Sequence, residues 1–218
     1  PSTPALREGF AEGLRSQGVD VDVSDEWVST PAANILVRLP EARYDVGIQV
    51  TASHNPWTGP RPENGFKVSF IEADGYLRGM YGQGLAELLR PVLEGDLARF
   101  EPTSPAGRAT QVERLPTYYE HLRERFVREL EHLGLTPSDA QDLVAVVDTG
   151  NAVMGPIAKV AIESLGITYV GVDDEVITGT EGREPPHPAD PNQQSYYREH
   201  LTRAVQDVAR EHPGKIVV

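Results

Sequence analysis

The sequence predicts two mixed α/β domains, each built on a mostly parallel sheet with helices on both faces. Three observations predict it. Short apolar runs rich in β-branched residues alternate with segments of helical periodicity along almost the whole chain, which is the rhythm of parallel strands joined by crossover helices. The strand-like runs Asp45-Val46-Gly47-Ile48-Gln49-Val50 and Leu143-Val144-Ala145-Val146-Val147 are apolar enough to be buried in a sheet. Glu101-Pro102-Thr103-Ser104-Pro105-Ala106-Gly107 concentrates proline and small residues between two periodic segments, so the boundary falls there, with one domain over 1–107 and the other over 108–218.

The chain opens on a helix: Thr3 can cap it, Pro4 suits its first turn, Leu6, Phe10 and Leu14 repeat at helical spacing, and Gly18 stops it. Val19, Val21 and Val23 then alternate as a strand. Ser29-Thr30-Pro31 repeats the capping arrangement before a second helix with Ile35, Leu36 and Leu39 on one stripe. The strand over 45–50 follows and ends where polar residues begin. A chain that starts with a helix in this rhythm implies a strand upstream of it. Phe66-Lys67-Val68-Ser69-Phe70 alternates as a further strand, and Ala73-Asp74-Gly75 turns. Leu85, Leu88, Leu89, Val92 and Leu93 then make a helix expected to face the sheet.

In the second half a long amphipathic helix from about Pro116 places Tyr119, Leu122, Phe126, Leu130 and Leu133 on one face and ends at Gly134. The strand over 143–147 runs into Asp148-Thr149-Gly150-Asn151, read as a strand-to-helix turn with a cap. A helix to Leu165, a strand from Ile167 to Val172, a loop from Asp173 to Asn192, a helix to about Arg210 and a last strand complete a βαβαβ unit.

Composition limits the function classes. A net charge of −13 over 218 residues leaves no basic stripe for a nucleic-acid backbone. The chain has no cysteine, which excludes disulfides and thiolate metal sites and agrees with a reducing compartment. No apolar run is long enough to span a membrane, and Pro1-Ser2-Thr3-Pro4 is not a signal peptide, so the reading is a soluble cytoplasmic protein. The absent initiator methionine and the strand-like Lys215-Ile216-Val217-Val218 end lead to the expectation that the chain is part of a longer polypeptide.

The chemistry concentrates in Thr51-Ala52-Ser53-His54-Asn55-Pro56 and the Asn64-Gly65-Phe66-Lys67 after it. Ser53 stands at the carboxyl end of a strand, where open α/β sheets place their ligand crevice. Adjacent Ser53 and His54 do not make a catalytic pair, since neighbouring side chains at a strand end point apart, and no Gly-x-Ser-x-Gly elbow is present. A hydroxyl with an imidazole, an amide and a lysine around it suits phosphoryl transfer better than acyl transfer. Lys67 is one of only three lysines, and a lysine can give up its proton where an arginine cannot. Each residue also has a plain structural reading: Ser53 as a helix-capping hydroxyl, His54 as a satisfied imidazole, Asn55 as a turn former and Lys67 as a surface lysine. Asp148, Asn151, His187 and Asp190 are taken as turn and docking-loop residues rather than ligands.

These two segments resemble the active-site signature of the α-D-phosphohexomutases, the family of phosphoglucomutases and phosphomannomutases. Ser2-Thr3-Pro4-Ala5-Leu6, Gly18-Val19-Asp20-Val21, Ser29-Thr30-Pro31 and Asp45-Val46-Gly47-Ile48 resemble its first domain in order and spacing. Val146-Val147-Asp148-Thr149-Gly150-Asn151, Leu165-Gly166 and Pro186-His187-Pro188-Ala189-Asp190-Pro191-Asn192 resemble its second. The resemblance implies the first two domains of a four-domain enzyme that interconverts hexose 1- and 6-phosphates through a phosphoserine, here Ser53, and a hexose 1,6-bisphosphate. It implies His54 and Lys67 as catalytic residues, Asn55 as a substrate contact, and a magnesium ion held by the Ser53 phosphate and by an aspartate-rich loop expected after Val218. On that expectation the chain by itself is inactive and binds magnesium poorly. Thr51 before Ala52-Ser53 leans away from the glucosamine phosphate branch. Two departures stand out: Trp57-Thr58-Gly59-Pro60-Arg61-Pro62-Glu63 is longer than the family usually has, and Ala152 replaces a common glycine. The rival expectation is a non-catalytic relative that keeps the fold as a binding or regulatory module.

Overall fold

The computed structural model describes residues 3–39, 44–52, 64–96, 98–177 and 194–218, with the backbone alone at 99 and 194–197. They divide between two compact units, one holding the elements up to Arg114, the other beginning at Leu115 and taking in Trp27–Ser29.

In the first unit both Thr-Pro pairs start helices, α1 (Thr3–Ser16) and α2 (Thr30–Arg38). Proline lacks the N–H that a first helical turn leaves unused, so it fits just inside each start. Gly18, at φ +80°, ends α1 in the left-handed conformation that glycine adopts most readily, and its N–H donates to the Arg15 carbonyl. Strand β1 (Val21–Val23) follows α1, and β2 (Val46–Val50) follows α2. Next come β3 (Phe66–Ile71), β4 (Leu77–Gly79) and α3 (Gly82–Leu93).

The mixed α/β architecture with helices on both faces is present, but the first unit is less parallel than the sequence predicts. β2, β3 and β4 form an antiparallel three-stranded sheet in that order, so among the described residues β2 lies at the sheet's edge and not in the buried position its apolar run predicts. β2 is accordingly half-buried, with Val46 exposed. Among the described residues of this unit, parallel pairing is confined to β1 and β5 (Ala109–Gln111). That pairing also carries the first unit past the Gly107 boundary read from the sequence, because a strand hydrogen-bonded to β1 belongs with it. Thr103 N and Gly107 N donate to the Ser16 and Arg15 carbonyls, holding the proline-rich stretch to the end of α1. Helix α3 forms where expected, but none of its residues is buried, and Leu88, Val92 and Leu93 are more than half exposed.

The second unit follows the expected βαβαβ order. After α4 (Leu115–His132) come β6 (Leu143–Asp148), α5 (Met154–Ser164), β7 (Thr168–Val172), α6 (Gln194–Glu211) and β8 (Ile216–Val217). All pairings are parallel in the order β7-β6-β8. The first crossover runs from β6 to β7 and the second from β7 back past β6 to β8, so right-handed connections in the two opposite senses put α5 and α6 on opposite faces. Val144 and Val146 of β6 pack with Val208 of α6 in a buried cluster, joined by Val170, Val172, Leu201 and Val205. Among the described residues no helix is long and apolar enough to cross a membrane.

Candidate active site

The two halves of the signature come together through strand pairing. Val50 lies opposite Phe66 and Gln49 opposite Lys67, and Thr51 N donates to the Gly65 carbonyl at 2.9 Å, one step beyond the ladder. Thr51-Ala52 and Asn64-Gly65 are therefore the two arms of one hairpin end. Asn64 secures its arm twice: its Oδ1 accepts from Gly65 N at 2.9 Å, and its Nδ2 donates to Thr3 Oγ1 at the start of α1, 3.1 Å away.

Alternation along β3 sends Phe66 and Lys67 to opposite faces. Phe66 meets Phe10 of α1, ring centroids 4.3 Å apart. Lys67 lies on the face that α2 covers, where its Nζ donates to Thr30 Oγ1 at 3.2 Å. Two residues on, Ser69 Oγ donates to Asn34 Oδ1 at 3.1 Å. Gly47, opposite Ser69, lies under Val37 so closely that a β-carbon there would overlap the valine methyl. The sequence identified Lys67 but gave no partner for it; Thr30 is the residue that sequence reading missed, and it was singled out only as a helix cap.

Ser53, His54, Asn55 and the segment Trp57 to Glu63 lie outside the described residues, as do His187 and Asp190. The structure thus positions Lys67 and the strand ends leading into the Ser53 loop.

In the second unit the loops after β6 and β7 are laced together. Asn151, buried and at φ 57°, does not cap α5, whose cap position is Val153 with no side-chain hydrogen bond. Its N–H donates to the Asp173 carbonyl, its Nδ2 to the Glu175 carbonyl at 2.9 Å, and its own carbonyl accepts from Ile177 N at 3.0 Å. Thr149 Oγ1 adds a bond to the Asp173 carbonyl at 3.1 Å. Nearby, Tyr169 Oη donates to Asp174 Oδ2 at 3.2 Å, and burial, reinforced by that carboxylate, pushes the phenol pKa well above its ordinary value.

Asp148, Asp173 and His200 present ligand atoms that all lie within 4.8 Å of one another, a grouping that could hold a metal ion. Sequence reading treated Asp148 as a turn residue and passed over the other two. The signal available was a carboxylate at the carboxyl end of each of two parallel strands. The donor set does not match magnesium, which favours an octahedron of oxygens and retained waters, whereas two carboxylates with an imidazole suit zinc or manganese. His200 Nε2 in any case already stands 3.3 Å from Asp173 Oδ2.

Residues 1–76 match the family model described as phosphoglucomutase/phosphomannomutase, alpha/beta/alpha domain I. A phosphomannomutase/phosphoglucomutase of Pseudomonas aeruginosa is 32% identical over 192 residues, covering 87% of this chain and 34% of the relative. A phosphoglucosamine mutase of Corynebacterium aurimucosum is 29% identical over 170 residues, 78% of this chain and 34% of the relative. Among solved structures, a phosphoglucomutase/phosphomannomutase family protein of Burkholderia thailandensis superposes with a TM-score of 0.66 at 28% identity, covering 93% of this chain and 39% of that one. The chain spans about a third of the length of the curated relatives it matches. With its signature hairpin, its two α/β units and these matches, the chain belongs to the α-D-phosphohexomutase family of phosphoglucomutases and phosphomannomutases.

Proposed function

We propose that the full-length protein is a cytoplasmic phosphohexomutase, interconverting hexose 1-phosphates and hexose 6-phosphates with Ser53 as the phosphoryl carrier. In this reading the two compact units, which part at Arg114 and Leu115, correspond to the first two of its domains. The observation that supports it most is the hairpin end, where pairing of Val50 with Phe66 and of Thr51 with Gly65 brings Lys67 beside the strand that leads to Ser53. A covalent carrier and a proton-transfer group drawn from two segments of sequence then share one site.

The chemistry runs in two matched halves. The Ser53 Oγ–P bond breaks as a bond forms between phosphorus and a hydroxyl of the hexose monophosphate, giving a hexose 1,6-bisphosphate. The hydroxyl proton leaves the sugar and the serine oxygen regains one, with Lys67 as the group that takes or gives the proton. After the bisphosphate turns, Ser53 recovers a phosphoryl group from the other end and the sugar oxygen is protonated in its place. His54 and Asn55 contact the transferring phosphoryl group and the sugar. A magnesium ion at the Ser53 phosphate, when bound, offsets the charge that gathers there. Glucose and mannose phosphates are the substrates that Thr51 favours over glucosamine phosphate.

The test is Ser53→Ala in the full-length protein. Exchanging one hydroxyl for hydrogen removes little bulk and few contacts, so melting should change little while mutase activity falls by orders of magnitude. Intact mass should show a phosphate-sized addition that the alanine variant lacks and that a hexose monophosphate discharges. Interconversion by Ser53→Ala at a rate near the parent's refutes the carrier role.

A further inference from the structure

We infer that Thr30 is a positioning residue for Lys67, its hydroxyl able to hold the lysine nitrogen in both protonation states. The inference rests on the proposed proton-transfer role of Lys67 and goes beyond it, because it assigns a function to the first residue of a helix 37 positions away in sequence.

The alignment of α2 with β3 is what makes the contact specific. Thr30 and Asn34 are one helical turn apart on one face, a rise of about 6 Å at ~1.5 Å per residue. Lys67 and Ser69 are the corresponding pair on the strand, about 6.6 Å apart at ~3.3 Å per residue. The near match lets both rungs close together, Lys67 to Thr30 at 3.2 Å and Ser69 to Asn34 at 3.1 Å. Val37, seated on Gly47, sets how near the helix lies to the sheet. A sheet-side glycine, a hydroxyl–amide rung and a hydroxyl–lysine rung together fix the height and register of α2, and with them the position of the lysine nitrogen.

The chemistry of the partner matters as much as its place. A hydroxyl both accepts and donates, so it can accept from the ammonium and, after proton transfer, donate to the neutral amine. Lysine has a flexible four-carbon stem, and a group that must exchange protons in both halves of the cycle needs its nitrogen to stay in place through the change.

The experiment is a double-mutant cycle in the full-length protein, assayed with glucose 1-phosphate and a trace of glucose 1,6-bisphosphate. Thr30→Val keeps the shape and removes the oxygen; Thr30→Ser keeps the oxygen. We expect Thr30→Val to lower kcat on the order of 10- to 100-fold, the range for a displaced reacting group, with KM little changed, and Thr30→Ser to restore most of it. In a Lys67→Met background Thr30→Val should cause no further loss, because it acts through the lysine. A loss of equal size in both backgrounds assigns Thr30 a merely structural role and overturns the inference. Normal kcat in Thr30→Val together with a collapse in Lys67→Met overturns it and leaves the proposed function standing. Near-normal kcat in Lys67→Met removes the proton-transfer reading of Lys67, and the inference with it.

Discussion

Replacing Gly47 by alanine adds one methyl group where the structure has no room for it. A β-carbon built there falls inside van der Waals contact with a Val37 methyl and reaches the other two Val37 side-chain carbons at 3.4 and 3.6 Å. Val37 is only 7% exposed and cannot swing outward, and a β-branched side chain on a helix has one strongly preferred rotamer. Relief therefore means lifting α2 from the sheet or forcing Val37 off its rotamer. Overpacking of this kind costs about 1–3 kcal/mol, against a gain of about 0.5–1 kcal/mol from removing a strand glycine. The expected net loss is roughly 1–2 kcal/mol. Gly9→Ala is the matched control: Gly9 lies inside α1 with nothing within 4 Å of the added carbon, so it should gain about 0.5–1 kcal/mol. Urea unfolding followed by circular dichroism should move the first-unit transition in opposite directions for the two alanines. A Gly47→Ala protein as stable as the parent would show that α2 does not sit on β2 at this height, and the registration of Thr30 with Lys67 would fail with it.

Two further outcomes follow from the second unit. Asn151→Ala loses the bond to Glu175 and also the short amide side chain that lets asparagine tolerate φ 57°, for a destabilisation of about 2–3 kcal/mol, while Asn151→Gly, which tolerates that backbone, should lose about half as much in the same unfolding assay. Equal losses would refute the backbone half of that account. The raised Tyr169 phenol should appear in an ultraviolet titration as a phenolate band, absent from Tyr169→Phe, that develops only above the ordinary tyrosine range and shifts down in Asp174→Asn. Since the folded-state value is raised, the protonated phenol's contribution to stability is fully present below about pH 10 and is lost as pH rises through that higher value. Ionisation at an ordinary midpoint would show that burial and Asp174 do not act on it as described.

Elements that carry their own chemical signals were legible in the sequence. The Thr-Pro starts of α1 and α2, Gly18 and Gly134 at helix ends and the valine-rich β6 need no distant partner to be recognised. β4 and β5 were missed because Leu77-Arg78-Gly79 and Ala109-Thr110-Gln111 have little strand character of their own; their neighbours β3 and β1 impose it. The apolar stripe of α3 was legible as a helix, but periodicity tells which face is apolar and not whether anything covers it. At the site the signature residues and Lys67 were legible as a motif. Thr30 was not, because its relation to Lys67 depends on how a helical turn lines up with a strand, and neither segment alone contains that match. Asn151 was misassigned for a related reason: a residue suited to capping also suits the left-handed turn that binds the next loop.

The bond between Thr51 and Gly65 has a consequence for how this family can vary. It fixes both anchor points of the 53–63 connection before the connection begins, and the β2–β3 ladder behind it fixes which way Lys67 faces. A one-residue slip in that ladder would turn the lysine to the α1 side, whereas residues added between the anchors need not propagate past them. Length and orientation are thereby insulated from each other: residues can be added to the connection while the lysine keeps its address.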